Sequence, residues 1–172
     1  MENRLSREFF TRDVLDVAPD LLGKILVRKF DDGSVQKYII TEVEAYRGEE
    51  DLACHASKGR SKRTEIMYHE GGYLYVYLIY GMYWMLNIVT SKKENPQAVL
   101  IRGIEKFDGP GKLTKKLIIE KSFYGEDLIS SKRIWIEPEQ YFIDKKFKTT
   151  SRIGIDYSGD NWKNKPWRFV LE

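Results

Sequence analysis

The sequence has few residues that could hold a metal ion or cross-link the fold. Cys54 is the only cysteine among 172 residues, so no disulfide can form within the chain, which suits a reducing compartment. The two histidines, His55 and His69, lie far apart in the sequence and cannot furnish a typical zinc site with one cysteine. Cys54 and His55 are adjacent, and adjacent side chains of an extended backbone point to opposite sides, which disfavours a thiol–imidazole pair. We therefore expect no metal site.

Long apolar runs are also missing. No segment approaches the roughly 18 consecutive apolar residues of a membrane span. The first ten residues, MENRLSREFF, lack the apolar centre of a signal peptide. We expect a soluble intracellular protein without membrane contact, located in the cytoplasm and nucleoid, or in the nucleus, according to its source.

The chain does have a globular composition that is rich in rings. Hydrophobic residues make up 42% and charged residues 32% of it, but aromatic residues reach 13%. A chain of this length most simply forms one domain, 1–172, which buries about 70% of its unfolded surface. The net charge of +3 permits a nucleic-acid partner without requiring one.

The patterning predicts strands in hairpins, not strands that alternate with helices. Strands 25–30 and 35–46 flank an Asp-Asp-Gly turn, and strands 73–80 and 83–90 flank Gly81 and Met82. Further strands are predicted at 98–105, 133–137, 151–155 and 167–171, and helices at 7–10, at 13–22 with a break before Pro19, and at 112–120. We therefore predict an α+β fold: a single domain with a mainly antiparallel curved sheet, peripheral helices and a protruding β-hairpin.

The second of these hairpins concentrates aromatic side chains. The stretch YVYLIYGMYWMLN, residues 75–87, places four tyrosines and a tryptophan around Gly81. Rings beside a tight turn are harder to bury than aliphatic side chains. They either pack underneath the turn or contact a flat ligand.

The strand that ends at residue 46 contains a candidate general base. Glu42, Glu44 and Tyr46 alternate along one face of this strand. Composition alone favours an edge strand with a solvated acidic face. The apolar run 38–40 instead indicates a strand that enters the interior, and a carboxylate beside a ring at the end of a buried strand is often a general base.

Two isolated polar residues interrupt apolar strands. Arg102 follows the run 98–101, and Asn87 lies within the apolar segment 85–89. Such groups are costly to bury unless they are paired or used. Each either satisfies the backbone or lines a pocket, and Arg102 is also a candidate partner for a buried acid.

Basic residues suggest a polyanionic partner. The segment 58–63, KGRSKR, carries four cations in six residues. Alone, such a run is usually a solvated loop, but beside an aromatic hairpin it is typical of a rim that grips phosphates around a base-reading site. The Gly-Pro-Gly-Lys segment 109–112 is not a Walker loop, and it is either a helix cap or a phosphate contact.

These motifs together resemble the alkyladenine (3-methyladenine) DNA glycosylase family over nearly the whole chain. The matching segments are Glu44-Ala45-Tyr46, His55, the run LYVYLIYGMY at 74–83, Asn87, Arg102, GPGKL at 109–113 and the tail that begins with Arg152-Ile153-Gly154-Ile155. The resemblance implies a single α+β domain, and a hydrolase that excises damaged purines from double-stranded DNA. It also implies a monomer and no cofactor.

The resemblance also implies roles for individual residues. Glu44 would activate the attacking water, with Arg102 and the backbone carbonyl of Ile153 holding that water. The walls around the extruded base would be Tyr46, His55 and Tyr77, and Asn87 would screen out normal guanine. Tyr80 would replace the flipped nucleotide in the duplex. Met82 beside it and Arg63 in the basic loop would contact DNA.

Two features depart from the family pattern, and two other functions stay open. The basic loop reads Ser61-Lys62-Arg63-Thr64 where the family usually has Thr-Pro-Arg-Asn, and the stretch between Arg102 and Gly109 is short. A catalytically silent nucleic-acid binding module would have no need of Glu44 with Arg102. A hydrolase for small nucleosides would leave the basic loop and Tyr80 without a purpose.

Overall fold

The computed structural model describes residues 3–140 and 144–172, and it confirms the α+β fold. In this part of the chain nine strands form one sheet: β1 (Ile25–Lys29), β2 (Val35–Tyr46), β3 (Leu74–Ile79), β4 (Tyr83–Thr90), β5 (Gln97–Ile104), β6 (Phe107–Asp108), β7 (Ile134–Glu137), β8 (Phe147–Thr150) and β9 (Arg168–Leu171). The order along the sheet is β3-β4-β5-β2-β1-β7, with β6 on β5 and with β9 between β2 and β8. These pairs are antiparallel, as predicted.

Helices flank this sheet and are short. The α-helices are α1 (Arg7–Phe10), α2 (Val14–Leu21), α3 (Pro110–Leu117) and α4 (Asp160–Lys163), and single 3-10 turns occur at His55–Lys58, Glu65–Tyr68, Lys121–Phe123 and Asp156–Ser158. Helix α2 packs against β2, and α3 packs against β4. No helix in the described ranges is both long and apolar enough to cross a membrane.

Strand β2 is the centre of the sheet and carries the candidate base. It pairs with β1 through its first half, and with β5 and β9 through its second half. Register shifts on either side of Glu42 mark a β-bulge, a feature that bends a strand and re-aims its side chains. Val43, Glu44 and Ala45 behind the bulge are all fully buried, so this end of β2 does enter the interior.

Two clusters of buried side chains support the site. The main core joins the sheet to α2 and α3. A smaller cluster, which includes Cys54, Met67 and Tyr75, lies behind the β3–β4 hairpin. The rings of this hairpin therefore differ in burial: Tyr75 packs underneath the hairpin, whereas Tyr80 at the tip is 86% exposed.

Two predicted elements are wrong. Helix α2 runs through Pro19 without the predicted break. The proline removes one backbone hydrogen bond, to the carbonyl of Leu15, but the buried residues Val14, Val17 and Leu21 hold the helix on the core. The predicted strand 151–155 is irregular backbone: β8 ends at Thr150, and the N–H of Ile153 bonds to the side chain of Glu44 and not to a neighbouring strand.

Candidate active site

A cavity of about 400 Å³ opens between the β3–β4 hairpin, the ends of β2 and β5, and the segment after β8. Seven of the ten candidate site residues predicted from the sequence line this cavity: Tyr46, His55, Tyr77, Tyr80, Asn87, Arg102 and Ile153. Strand pairing explains this, because Asn87 on β4 and Glu44 on β2 both face Leu100 of β5 in register. Residues from five parts of the chain thus meet on one face of the sheet.

Glu44 lies behind the cavity wall with no exposure to solvent. Its Oε1 accepts a hydrogen bond from the backbone N–H of Ile153 at 2.7 Å, and its Oε2 accepts one from the hydroxyl of Tyr46, also at 2.7 Å. The guanidinium Nε of Arg102 lies 3.7 Å from Oε1. A carboxylate oxygen can accept two hydrogen bonds, so each oxygen retains acceptor capacity.

Opposing forces act on the ionisation of Glu44. Burial raises the pKa of this carboxyl, because a charge loses its hydration in the interior. The positive charge of Arg102, the amide of Ile153 and the hydroxyl of Tyr46 act in the opposite direction, and burial prevails. A carboxyl with a raised pKa is a stronger proton acceptor once ionised, which suits a general base.

Arg102 is shared between two acids. Its Nε is 3.2 Å from Oε1 of Glu42, and the same oxygen accepts a hydrogen bond from Nε of Arg168 on β9 at 2.6 Å. Glu42, Arg102 and Arg168 form a partly buried network in which one carboxylate holds two guanidinium groups. The sequence-based expectation that Arg102 neighbours a buried acid is confirmed by this geometry.

Rings enclose the cavity on several sides. The rings of His55 and Tyr77 are 4.6 Å apart at an angle of 64°. Nδ1 of His55 lies 2.7 Å from the hydroxyl of Tyr75. Burial, and then the positive charges of Arg63 and Lys58, lower the pKa of His55 to about 4, so this histidine is neutral at physiological pH.

Cys54 and His55 have different surroundings in the structure. The thiol of Cys54 is buried, and burial raises its pKa to about 11. His55 is turned toward Tyr75 and Tyr77 instead. The described residues also contain no cluster of three or more His, Cys, Asp or Glu side chains arranged for a metal ion.

Asn87 takes both of the roles that its sequence context allowed. Its Nδ2 donates a hydrogen bond to the backbone carbonyl of Tyr75 at 3.1 Å. The residue is 3% exposed and contributes to the cavity wall. A side chain fixed to its neighbouring strand in this way presents a defined shape to the cavity.

The hairpin tip and the basic loop flank the cavity mouth. Tyr80 and Gly81 both have positive φ, and the N–H of Met82 bonds to the carbonyl of Ile79, as in a type I′ turn. Met82 is 63% exposed beside Tyr80, outside the cavity itself. Arg63 is exposed in the loop, and its Cζ lies 5.0 Å from the centre of the Tyr77 ring.

Three residues near the site were not predicted from the sequence. Asp51 and Arg152 form a buried ion pair behind it, and Tyr157 stands at the cavity mouth with its hydroxyl donating to the carbonyl of Ala53. Arg152 lay inside a motif quoted for the family resemblance but had no role attached. Asp51 lies in irregular backbone and Tyr157 in a single 3-10 turn, and neither is long enough for periodicity to mark a buried or a functional face.

The fold and the site define an α+β protein whose ring-lined cavity is backed by a buried, hydrogen-bonded carboxylate. This arrangement suits hydrolytic chemistry on a flat ligand.

Comparisons with known proteins give the family. A family model described as methylpurine-DNA glycosylase matches residues 8–109 and 105–172. A relative from Borreliella afzelii is 43% identical over 180 residues, covering 98% of this chain and 96% of the relative. Others come from Natranaerobius thermophilus (39% over 190 residues, 98% and 95% covered) and Methanocella arvoryzae (42% over 185 residues, 96% and 90% covered). All three bear the name "Putative 3-methyladenine DNA glycosylase". The chain belongs to the methylpurine-DNA glycosylase family, which confirms the resemblance.

Proposed function

We propose that this protein is an intracellular, monofunctional DNA glycosylase of base excision repair, which acts as a monomer on alkylated or deaminated purines in double-stranded DNA. Family membership supports the coarse activity. The observation that carries the mechanism is Glu44, a fully buried carboxylate held by the amide of Ile153 and the hydroxyl of Tyr46 at the end of a ring-lined cavity. A binding module would have no need of such a group.

The cavity suits a flat and electron-poor base. The electron-rich faces of Tyr46 and Tyr77 attract a cationic purine such as 3-methyladenine by about 1–2 kcal/mol when water is excluded. His55 is neutral at physiological pH and therefore does not repel this cation. A neutral deaminated purine such as hypoxanthine would rely on stacking and on hydrogen bonds to the wall.

Base extrusion would use the hairpin tip. Removing a nucleotide from the duplex costs a few kcal/mol of stacking and pairing, and a ring inserted in its place returns part of that cost. Tyr80 is the ring most exposed to solvent among the described large apolar residues, and Met82 projects beside it. Arg63, with Lys58 and Lys62 of the same loop, would hold phosphates of the flipped strand.

The hydrolysis needs a single water molecule. Glu44 takes one proton from the water while the water oxygen forms a bond to C1′ of the sugar. The C1′–N bond breaks, and its electron pair leaves with the base. A cationic alkylated purine departs neutral, whereas a neutral purine departs as an anion and takes up one proton, equal to the one that Glu44 accepted. The products are a free base and an abasic site. Arg102 would orient the water beside Glu44. No lysine lines the cavity within the described residues, which supports water attack without a covalent adduct or strand cleavage.

The proposal is tested with duplexes that carry hypoxanthine or 3-methyladenine, with abasic-site formation as the measurement. Glu44→Gln preserves the shape of the side chain and removes the proton acceptor, so it should bind DNA normally and lose more than about 99% of the excision rate. A variant that keeps more than a few per cent of the rate would exclude Glu44 as the base. If the wild-type protein binds DNA but excises no base, the silent binding module is favoured. If it releases bases from free nucleosides alone, a nucleoside hydrolase is favoured. A borohydride-trapped adduct would contradict water attack.

A further inference from the structure

A fully buried ion pair lies directly behind the candidate active site. Nη1 and Nη2 of Arg152 donate to the two carboxylate oxygens of Asp51 at 2.6 Å and 2.9 Å, and neither side chain is exposed to solvent. Asp51 also accepts hydrogen bonds from the backbone N–H groups of Arg47 and Ala53. The pair thus joins the loop after β2 to the irregular segment after β8.

The same arginine touches both sides of Glu44. Nη1 of Arg152 donates to the carbonyl of Ala45 at 3.0 Å, in the residue next to Glu44. Its guanidinium lies over the ring of Tyr46, 4.9 Å from the centre, and Tyr46 is the residue that donates to Oε2 of Glu44. The residue after Arg152 is Ile153, whose amide donates to Oε1. Each hydrogen-bond donor to Glu44 is therefore adjacent to, or in contact with, Arg152.

We infer that Asp51 and Arg152 are positioning residues that hold the Ile153 amide and the Tyr46 ring against Glu44. This inference rests on the proposed role of Glu44 in catalysis. The segment 151–155 has no strand partner to fix its backbone, so its position depends on side-chain anchors. Asp51 and Arg152 supply that anchor across 101 residues of sequence.

A purely structural role for the pair has a different expected outcome. Replacing a buried ion pair by uncharged residues of similar volume is often neutral or even stabilising, so stability alone does not explain such a pair. A positioning role requires instead that the environment of Glu44 changes when the pair is replaced. The amide of Ile153 and the charge of Arg152 both lower the pKa of Glu44, so their loss should raise it.

The two replacements leave the other groups that face Glu44 chemically unchanged. They are Tyr46, Tyr77, Arg102 and Tyr157, together with Glu42, which accepts hydrogen bonds from both Arg102 and Arg168. Arg152→Lys keeps the positive charge, so a shift in the pKa of Glu44 in that variant would report the loss of the anchor, and faster exchange of the Ile153 amide would report it in either variant.

The experiment compares the wild-type protein with the double variant Asp51→Asn/Arg152→Met, which removes both buried charges together. NMR of the free protein measures the exchange rate of the Ile153 amide and the titration of the Glu44 carboxyl. Single-turnover excision measures the rate at several pH values. We expect the Ile153 amide to exchange at least about tenfold faster and the pKa of Glu44 to be higher. The acid limb of the pH–rate profile should move to higher pH, and the excision rate should fall by about 100-fold while DNA affinity is unchanged. Arg152→Lys keeps a positive charge without the two-point contact, and it should give a smaller change in the same directions.

The control variant is Arg7→Met/Asp127→Asn, which removes another ion pair, 2.8 Å long, outside the site. It should leave the Ile153 amide and the Glu44 titration unchanged. Unchanged exchange and titration in a folded Asp51→Asn/Arg152→Met protein, or in Arg152→Lys if the double variant does not fold, would overturn the inference. The two NMR measurements need no substrate, so they decide it even if the wild-type protein excises nothing, a result that would refute only the proposed function.

Discussion

Asn87 shows how a single residue can serve both the sheet and the cavity. Its amide nitrogen bonds to the backbone of β3, while its side chain forms part of the cavity wall. Guanine differs from hypoxanthine by an exocyclic 2-amino group. A fixed side chain that fills the corresponding space excludes guanine by a clash or by leaving that donor unpaired.

Replacing Asn87 by Ser should therefore widen the substrate range. We expect Asn87→Ser to increase the release of undamaged guanine, above all from mismatches, and to leave hypoxanthine excision within about threefold of the parent. The loss of the hydrogen bond to Tyr75 should cost about 1 kcal/mol of stability. Excision is compared on identical duplexes that carry either base. If Asn87→Ser releases guanine only at the background rate and largely loses hypoxanthine excision, Asn87 has a structural role only.

At the scale of elements, the β3–β4 hairpin has a turn whose sequence disagrees with its geometry. Tyr80 has a φ of 52° in a two-residue turn where both central residues need positive φ. Asn and Gly are favoured at such positions, whereas a ring is not. Backbone strain of this kind, about 1 kcal/mol, is typical of functional positions. A ring held in this conformation at the most exposed point of the hairpin fits the proposed role as a wedge.

Replacing Tyr80 by Asn should have opposite effects on the stability of the protein and on base extrusion. We expect Tyr80→Asn to raise the free energy of unfolding by up to about 1 kcal/mol, because Asn accepts the left-handed conformation more readily. The same variant should slow excision of stably paired lesions by about tenfold or more, and should leave single-stranded substrates nearly unaffected. Urea unfolding and excision on both substrate types provide the measurements. Equal loss on both substrates would contradict a wedge.

The basic loop contains a matched pair of arginines. Arg60 is engaged by Glu65 and Glu94 at 2.7 Å each, whereas Arg63 lies over the Tyr77 ring at the cavity mouth. An arginine that is already paired with carboxylates releases few counterions from DNA. Arg63 is therefore the better candidate for a phosphate contact.

Salt dependence distinguishes the two arginines. Arg63→Ala should weaken binding of damaged and undamaged duplexes alike, and should reduce the slope of log affinity against log salt by about 0.9, the value of one phosphate. Arg60→Ala should change the slope by much less. Affinities measured from about 50 to 200 mM salt test this. Equal slopes for the wild-type protein and Arg63→Ala would remove Arg63 from the interface.

At the scale of the whole molecule, the buried and neutral His55 links stability to pH. Its pKa is about 4 in the folded protein and about 6.5 in an unfolded chain, so the unfolded chain binds more protons between these values. The stability that follows from this difference is present above about pH 6.5 and is lost as the pH falls through about 4. It amounts to at most about 3 kcal/mol.

The free energy of unfolding should therefore fall more steeply on acidification in the wild-type protein than in His55→Gln. Between pH 7 and pH 4, the free energy of unfolding of the wild-type protein should fall by about 2–3 kcal/mol more than that of His55→Gln. The side chain of His69 is 42% exposed, so His69→Gln should retain the steep decline and provides the control. Urea denaturation at several pH values gives both curves. Parallel curves for the wild-type protein and His55→Gln would show that His55 is not the group responsible.

Much of the fold follows from local patterns. The strand-forming residues of 35–46 and 74–90, and the glycines at the turns, indicate the hairpins, and the alternation of Glu42, Glu44 and Tyr46 gives the face on which Glu44 lies. These strands then align by pairing, which brings the predicted residues to one cavity. Helix α2 and the predicted strand 151–155 are the exceptions, and in α2 packing on the core overrides the local effect of Pro19.

What the sequence by itself determined was the antiparallel α+β fold and, with the family resemblance, the set of residues around the cavity. Only the tertiary structure decided how Glu44 is held. The Ile153 amide, 109 residues away, donates to it, and the Asp51–Arg152 pair lies behind that contact. Irregular segments have no periodicity from which their contacts can be derived. Their position is fixed by long-range hydrogen bonds and burial, and these exist only once the sheet has formed.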